Sequence, residues 1–343
     1  MPPIYNFSAG PAAPPCPLRP PVPEEMTRPA RYYYEAAQAM LRELACPPEG
    51  YRFLLLPWGA AAQLKWLFCQ LLPREGRAAL LPSGHWSRLA AQAAAAGGVP
   101  AVPGASRPPG WPFRLPEWED PLPAQLGYLC LNNTDTGAAF PRVQRPKGLP
   151  LAVDASSVWF AAPVPLEKAD LWFASAQKNL GSPGFTVMLA RQELLRPAPF
   201  LPEACQLRRY LRWEDHPFRG EERFRAGLFL LCQGLRHLEQ LGGLEAAGRL
   251  TGEKSRRLYA FLEQSQRLRP MVEEPFRSLT NVTFTTGSRR EDLRLARAAE
   301  RAGLLNLGGQ LPWGGLRASC YLGAAPQAVE ALVAFLTRWE ENS

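Results

Sequence analysis

Lys178 stands in the stretch Ala-Ser-Ala-Gln-Lys-Asn-Leu-Gly-Ser-Pro-Gly-Phe-Thr, residues 174–186, between an apolar strand-like run (170–174) and a Gly/Pro-rich turn. A lysine held among apolar walls loses its charge easily, because desolvation disfavours the ammonium form. A neutral amine can form a Schiff base with an aldehyde cofactor. The alternative is a solvated lysine at a strand-to-turn junction, and these thirteen residues do not separate the two. Upstream, Asp154 closes the apolar run Leu151-Ala152-Val153. A carboxylate at the buried end of a strand needs a partner. A protonated pyridine nitrogen is one such partner. A helix N-cap role ahead of Ser156 and Ser157 is the alternative.

These residues need a frame that brings strand ends together. Apolar runs at 51–56, 78–81, 128–131, 151–154, 170–174 and 185–190 alternate with helical patterns at 60–72 and 85–96. Such alternation predicts a doubly wound, mostly parallel sheet. Ligands then bind beyond the carboxyl ends of its strands. Three further segments fall there. Gly59-Ala60-Ala61-Ala62 opens a helix, where small residues let backbone N–H groups approach a phosphate. Ser83-Gly84-His85-Trp86 offers an aromatic face for a planar ring, although a core tryptophan is the better reading in isolation, since the chain has ten. Asn132-Asn133-Thr134 offers amide and hydroxyl hydrogen bonds, or a plain turn. Taken together these positions fit one ligand, pyridoxal 5'-phosphate.

Residues 11–29 are proline-dense and read as irregular, ahead of a helix at 32–44. Residues 104–124, rich in proline and tryptophan, read as a surface excursion. Past about residue 220 come helical patterns at 224–241, 244–264, 290–302 and 325–341, with strands at 282–286 and 316–321. The division expected is an irregular segment (1–30), a large cofactor-binding domain (31–235) and a small α+β domain (236–343).

The bulk numbers exclude several classes. The chain has 343 residues and a formal charge of +8. Its arginines are dispersed, which argues for small anionic ligands and against nucleic acid. Seven scattered cysteines without a Cys-x-x-Cys pair predict free thiols, no metal site and a reducing compartment. No secretory signal and no membrane span is expected, so the cytoplasm is the expected location.

Four segments carry a resemblance that spans nearly the whole chain. They are Ile4-Tyr5-Asn6-Phe7-Ser8-Ala9-Gly10-Pro11, Val153-Asp154-Ala155-Ser156-Ser157, the lysine segment 174–186, and Gly314-Gly315-Leu316-Arg317-Ala318-Ser319-Cys320-Tyr321. In content and order they resemble the phosphoserine aminotransferase family, in the class V branch of the fold-type I pyridoxal-phosphate enzymes. The resemblance implies a large domain with a mostly parallel seven-stranded sheet flanked by helices, plus a smaller C-terminal α+β domain. It implies transamination between phosphoserine and 2-oxoglutarate, and a homodimer with active sites at the subunit interface. By position, Lys178 would carry the cofactor and move the substrate proton, and Asp154 would face the ring nitrogen. Trp86 would cover the ring and Thr134 would bond its phenolic oxygen. Ala60, Ala61 and Gln177 would hold the phosphate. Arg317, assisted by Ser8, would clamp the substrate α-carboxylate.

Three segments depart from the family pattern. The Ser-His-Arg segment that binds the substrate phosphate is reduced to Thr27-Arg28-Pro29, keeping Arg28 without the histidine. The glycine-rich phosphate loop has become Trp58-Gly59-Ala60-Ala61-Ala62-Gln63-Leu64. The segment that a partner subunit lends to the cofactor phosphate aligns near Gly220-Glu221-Glu222-Arg223. The rival readings are therefore an aminotransferase for a smaller amino acid, of serine or alanine type, and a fold-retaining binding protein. A cysteine desulfurase is disfavoured, since Trp86 takes the place of its stacking histidine and no cysteine sits in a matching loop.

Overall fold

The computed structural model describes residues 3–73, 75–106, 112–198, 200–309 and 312–342. In chain order the elements begin with β1 (Tyr5–Asn6), α1 (Pro23–Thr27) and α2 (Ala30–Ala45). There follow β2 (Tyr51–Leu56), α3 (Ala60–Leu71), β3 (Ala78–Leu80), α4 (His85–Ala96) and β4 (Ala101–Pro103). Next come β5 (Leu126–Cys130), β6 (Leu151–Asp154), β7 (Leu171–Ser175) and β8 (Thr186–Arg191). The rest is α5 (Glu222–Gln240), α6 (Gly243–Gln264), β9 (Arg269–Pro270), β10 (Asn281–Thr285), α7 (Arg289–Arg301), β11 (Leu304–Leu305), β12 (Leu316–Ser319) and α8 (Pro326–Glu341).

Seven strands form the main sheet in the order β2-β8-β7-β6-β5-β3-β4. Neighbours from β4 to β7 are parallel, and β8 runs antiparallel between β7 and β2. β5, β6 and β7 are buried along their whole length. That is why they read as continuous apolar runs instead of alternating ones. After β4 the chain crosses to the other side of β3 and builds β5, β6 and β7 outward. The direction of build reverses between β3 and β5. At such a reversal the loops leaving two neighbouring strands part and open a crevice.

A second sheet, β12-β10-β9, is antiparallel. It packs with α6, α7 and α8 around Val282, Phe284, Leu295, Leu316 and Leu332. The N-terminal strand belongs here too. β1 pairs in parallel with β11, Tyr5 opposite Leu304. Phe7 is fully buried in the same cluster. The first ten residues thus reach the main sheet from the C-terminal side of the molecule.

Several expectations need correction. The proline-dense stretch 11–29 contains a short helix, α1, started by Pro23 in its first turn. Residues 104–124 are more than a surface excursion, although 107–111 lie outside the described residues. Phe113 and Leu115 are buried, and the Phe113 N–H donates to the Met271 carbonyl at 3.0 Å. Four strands of two or three residues (β1, β4, β9 and β11) lacked a readable period. β4 carries Pro103 and lies at the sheet edge, where a missing N–H is tolerated.

Candidate active site

Lys178 lies in the turn after β7, with its side chain 7 % exposed. Its Nζ donates to the Ala9 carbonyl and stands 5.6 Å from the centre of the Tyr321 ring. The N-terminal strand therefore covers the amine. Gly10 is required there: its φ is +142°, and a Cβ would lie 2.8 Å from Lys178 Nζ. The turn itself is fixed from both sides. Asn179 donates to the Trp159 carbonyl at 3.1 Å and accepts from the Leu322 N–H at 3.2 Å.

Asp154 ends β6 and is 6 % exposed. It does not cap a helix. One carboxylate oxygen accepts from the Ser156 N–H at 2.9 Å, and the other from the Tyr128 hydroxyl at 3.4 Å. Burial raises its carboxyl above the usual carboxylate range, opposed by the Ser156 bonds and the charge on Lys178. Among the described residues no cation forms an ion pair with it. A buried carboxylate in this state favours a cationic partner.

The loops after β3 and β5 meet across the crevice. Trp86, in the first turn of α4, donates its indole N–H to the Thr134 hydroxyl at 3.0 Å. The Thr134 carbonyl accepts from the Arg317 guanidinium at 3.0 Å. Arg317 comes from β12, preceded by Gly314 and Gly315 at φ +71° and +69°. A Cβ on Gly315 would sit 2.4 Å from Met271 Sδ and 2.8 Å from the Phe284 carbonyl, so only glycine fits. Burial lowers the Arg317 guanidinium from its usual range, while Tyr321 and Asp135 oppose the shift. At the opposite end Gly59 opens α3 without any side-chain cap. The Ala60 and Ala61 N–H groups have no intrahelical acceptor, which leaves them for an anion.

One cavity of about 440 Å³ gathers these groups. Ser8, Ala60, Ala61, Trp86, Thr134, Asp154, Gln177, Lys178 and Arg317 all line it. Arg28 does not. It follows α1, and its guanidinium lies 4.8 Å from the centre of the Tyr32 ring and donates to the Tyr32 hydroxyl at 2.8 Å. Glu221 and Glu222 lie at the start of α5, away from the cavity, where Glu222 pairs with Arg225.

The sequence reading missed Asp135 and Ser175. Asp135 is 2 % exposed and accepts from the His85 N–H and the Trp313 indole, each at 2.9 Å. It ties the start of α4 to a residue 178 positions later in the chain. Ser175 lines the cavity with its buried hydroxyl unpartnered. Asp135 reads as an ordinary turn residue because its partners come from distant elements, and Ser175 as an ordinary strand-end residue.

The residues present fit pyridoxal phosphate. The carboxylate lacks a cation, an amine stands in the same cavity, and a helix start offers free N–H groups. The volume also lies within the range of small-ligand sites, about 300–1,000 Å³. Among the described residues no cluster of metal-ligating side chains occurs, and no helix is long and apolar enough to cross a membrane.

Comparison with known proteins places the chain in a family. Residues 59–304 match the family model for class V aminotransferases. The phosphoserine aminotransferase of an Exiguobacterium species is 34 % identical over 88 % of this chain and 83 % of its own. That of Lactiplantibacillus plantarum is 32 % identical over 99 % of both chains. Among solved structures, PLP-bound phosphoserine aminotransferase from Trichomonas vaginalis superposes with a TM-score of 0.86 at 27 % identity, covering 97 % of this chain and 99 % of its own. The enzyme of Bacillus circulans subsp. alkalophilus gives 0.82 at 28 % identity, over 91 % and 87 %. With the Lys178, Asp154 and Arg317 segments converging on one cavity, and with relatives matching along its whole length, the chain belongs to the phosphoserine aminotransferase family of class V aminotransferases.

Proposed function

We propose that this chain is a pyridoxal-phosphate-dependent transaminase that interconverts phosphoserine and 3-phosphohydroxypyruvate, with 2-oxoglutarate and glutamate as the second pair. The observation that carries the reading is a buried amine, a buried carboxylate without an ion-pair partner among the described residues, and a half-buried guanidinium on the walls of one cavity. When bound, the cofactor supplies an electron sink for the charge left on the substrate α-carbon. Lys178 Nζ takes the α-proton and returns it, the one amine among the described lining residues. Asp154 keeps a ring nitrogen protonated. Trp86 covers one ring face and excludes water. Thr134 keeps its own O–H free to donate to the phenolic oxygen, since its Oγ accepts from Trp86. The Ala60 and Ala61 N–H groups hold the phosphate with Gln177. Arg317, with Ser8 beside it, clamps the α-carboxylate in the bidentate way that suits a guanidinium.

A second reading has its own observation. Among the described residues Lys178 and Arg317 are the cations lining the cavity. Phosphoserine brings a second anionic group, and Arg28 faces Tyr32 instead. Either a partner subunit supplies the missing cation, as in a homodimer with shared sites, or the donor is a smaller amino acid such as serine or alanine. The seven free thiols suit a reducing, cytoplasmic setting.

Purified protein loaded with the cofactor is expected to absorb visible light, and Lys178→Ala to lose that band. A protein that stays colourless with added cofactor overturns the enzyme reading. Phosphoserine is expected to discharge the band in a single half-reaction. If alanine or serine discharges it and phosphoserine does not, the second reading replaces the first.

A further inference from the structure

The main cavity continues into a neighbour. Ser8 and Arg317 line both it and a second cavity of about 330 Å³, whose other walls include Leu293, Arg297, Asn306 and Glu300. Leu293 and Arg297 also line a third cavity, on the outer face of α7, with Arg289, Arg290 and Arg294. The three share lining residues in series, from the outer face of α7 to Arg317.

Local structure explains why α7 stands there. The pairing of β1 with β11, the strand directly after α7, carries Ser8 alongside that helix. Asn306 then locks the turn: its amide donates to Asn6 Oδ1 at 2.8 Å, and the same oxygen accepts from the Ser8 N–H at 3.0 Å.

The sequence of α7, Arg-Arg-Glu-Asp-Leu-Arg-Leu-Ala-Arg-Ala-Ala-Glu-Arg, carries five arginines and three acids. Its buried stripe is narrow: Asp292, Leu295 and Ala299. Asp292 is turned inward, accepting from the Thr285 hydroxyl and the Thr286 N–H, each at 2.7 Å. Glu291 pairs with Arg294 at 3.0 Å. Glu300 is the one carboxylate lining the path among the described residues. Among those residues Arg289, Arg290 and Arg297 form no ion pair. The outer face of α7 is therefore a net cationic surface at the mouth of a route whose inner end is a guanidinium.

We propose that this arginine face is an electrostatic approach path. It collects dianionic small substrates and passes them along Arg297 to Arg317. This rests on the substrate reading above, in which phosphoserine and 2-oxoglutarate each carry a net double negative charge. A dianion senses such a surface over about 10 Å at 0.1 M salt. Clefts of one sign raise encounter rates by about 10- to 1,000-fold, and one helix supplies part of that.

The test compares the holoenzyme with the double variant Arg290→Gln/Arg297→Gln. kcat/KM for phosphoserine is measured at about 20 mM and about 300 mM KCl, where the screening length falls from roughly 20 Å to roughly 6 Å. At low salt the variant is expected to lose about three- to tenfold in kcat/KM with kcat unchanged, and at high salt the two proteins converge. Arg290→Lys/Arg297→Lys is expected to restore the low-salt value, which a merely damaged fold would not. Equal kcat/KM at low salt, or an equal loss at both salts, overturns the path. If the unaltered enzyme ignores phosphoserine but accepts another amino donor, the substrate reading fails. The path is then read on 2-oxoglutarate as acceptor, with the same two outcomes.

Discussion

The indole of Trp86 donates to the Thr134 hydroxyl at 3.0 Å, across the crevice between the loops that leave β3 and β5. The Thr134 carbonyl also receives Arg317. One residue thus holds Trp86 through its side chain and Arg317 through its backbone. The two roles separate by substitution. Thr134→Val removes the indole acceptor and keeps the carbonyl. Cofactor affinity is expected to fall about tenfold, from about 1–1.5 kcal/mol of lost hydrogen bonding. KM for the amino acid is expected to change little, and Thr134→Ser to retain most of the affinity. Cofactor titration by tryptophan fluorescence measures the first quantity and steady-state kinetics the second. A large rise in KM with unchanged cofactor affinity would contradict the division.

Asp154 places a cost on the empty protein. Its carboxyl is raised above the ordinary range by burial. The native state thus binds more protons than the unfolded state between the two values. This contribution to stability is fully present below the unfolded value and is lost as pH rises through the folded one. Asp154→Asn is therefore expected to raise the Tm of the cofactor-free protein at pH 7, with the gain vanishing in acid. With cofactor the order reverses, because the amide cannot neutralise a pyridinium. Activity is expected to fall about 100-fold or more, the scale of losing one placed electrostatic group. Thermal shifts with and without cofactor check the reversal. A variant stabilised by cofactor as strongly as the unaltered protein would exclude Asp154 as the ring partner.

Legibility followed the distance over which each residue finds its partners. Asp154 closes a buried strand and Lys178 lies in the turn directly after one. The apolar runs directly before them announce the strand ends, while the contacts of Lys178 with Ala9 and Tyr321 come from far along the chain and left no signal. Trp86 and Thr134 lie in the segments that follow β3 and β5, so the crevice is readable. Their mutual hydrogen bond is not, because it joins residues 48 apart. Asp135 looks like one more turn residue until Trp313 arrives from the far end of the chain. Arg28 was read by motif position alone, and within its own chain it packs on Tyr32. The placement of Ser8 beside Arg317 depends on β1 and β11. Strands of two residues are too short for any alternation to register.

Gly10 guards the position of the amine. Its φ is +142°, and a methyl carbon in place of its hydrogen would stand 2.8 Å from Lys178 Nζ, so an added side chain and the amine cannot both keep these places. The nearest atoms belong to the flexible end of a lysine, so the chain is expected to fold with alanine there. Backbone strain of this kind costs about 1–3 kcal/mol. The amine has to move instead. Gly10→Ala is expected to lower kcat about 100-fold, the scale of a misplacement near 1 Å. KM is expected to stay within a few-fold, since Arg317 is untouched. A variant with normal kcat would show that the N-terminal strand does not position Lys178.

His216 sets an acid limit on the fold that is separate from the chemistry. It is 1 % exposed, with the rings of Tyr34, Tyr210 and Phe224 around it. The Phe218 N–H donates to its Nδ1 at 3.3 Å, so Nε2 carries the proton and donates to the Leu55 carbonyl at 3.2 Å. The ring is thereby held neutral. Burial lowers its pKa to about 4, with the Leu55 bond opposing and Arg219 assisting. A lowered histidine binds fewer protons folded than unfolded. Its contribution is complete above about pH 6.5, the unfolded value, and is lost as pH falls to the folded one. That window is worth about 3 kcal/mol at most, at roughly 1.4 kcal/mol per unit. His216→Gln keeps a donor for Leu55 and cannot titrate. Denaturant unfolding between pH 7 and pH 4 is therefore expected to fall less steeply in the variant than in the unaltered chain. Parallel curves would show that His216 does not titrate across this window. β2 ends one residue beyond Leu55, and Pro57 and Trp58 lead from it to Gly59 on the cavity wall, so acid loosening at His216 is expected to reach that wall first.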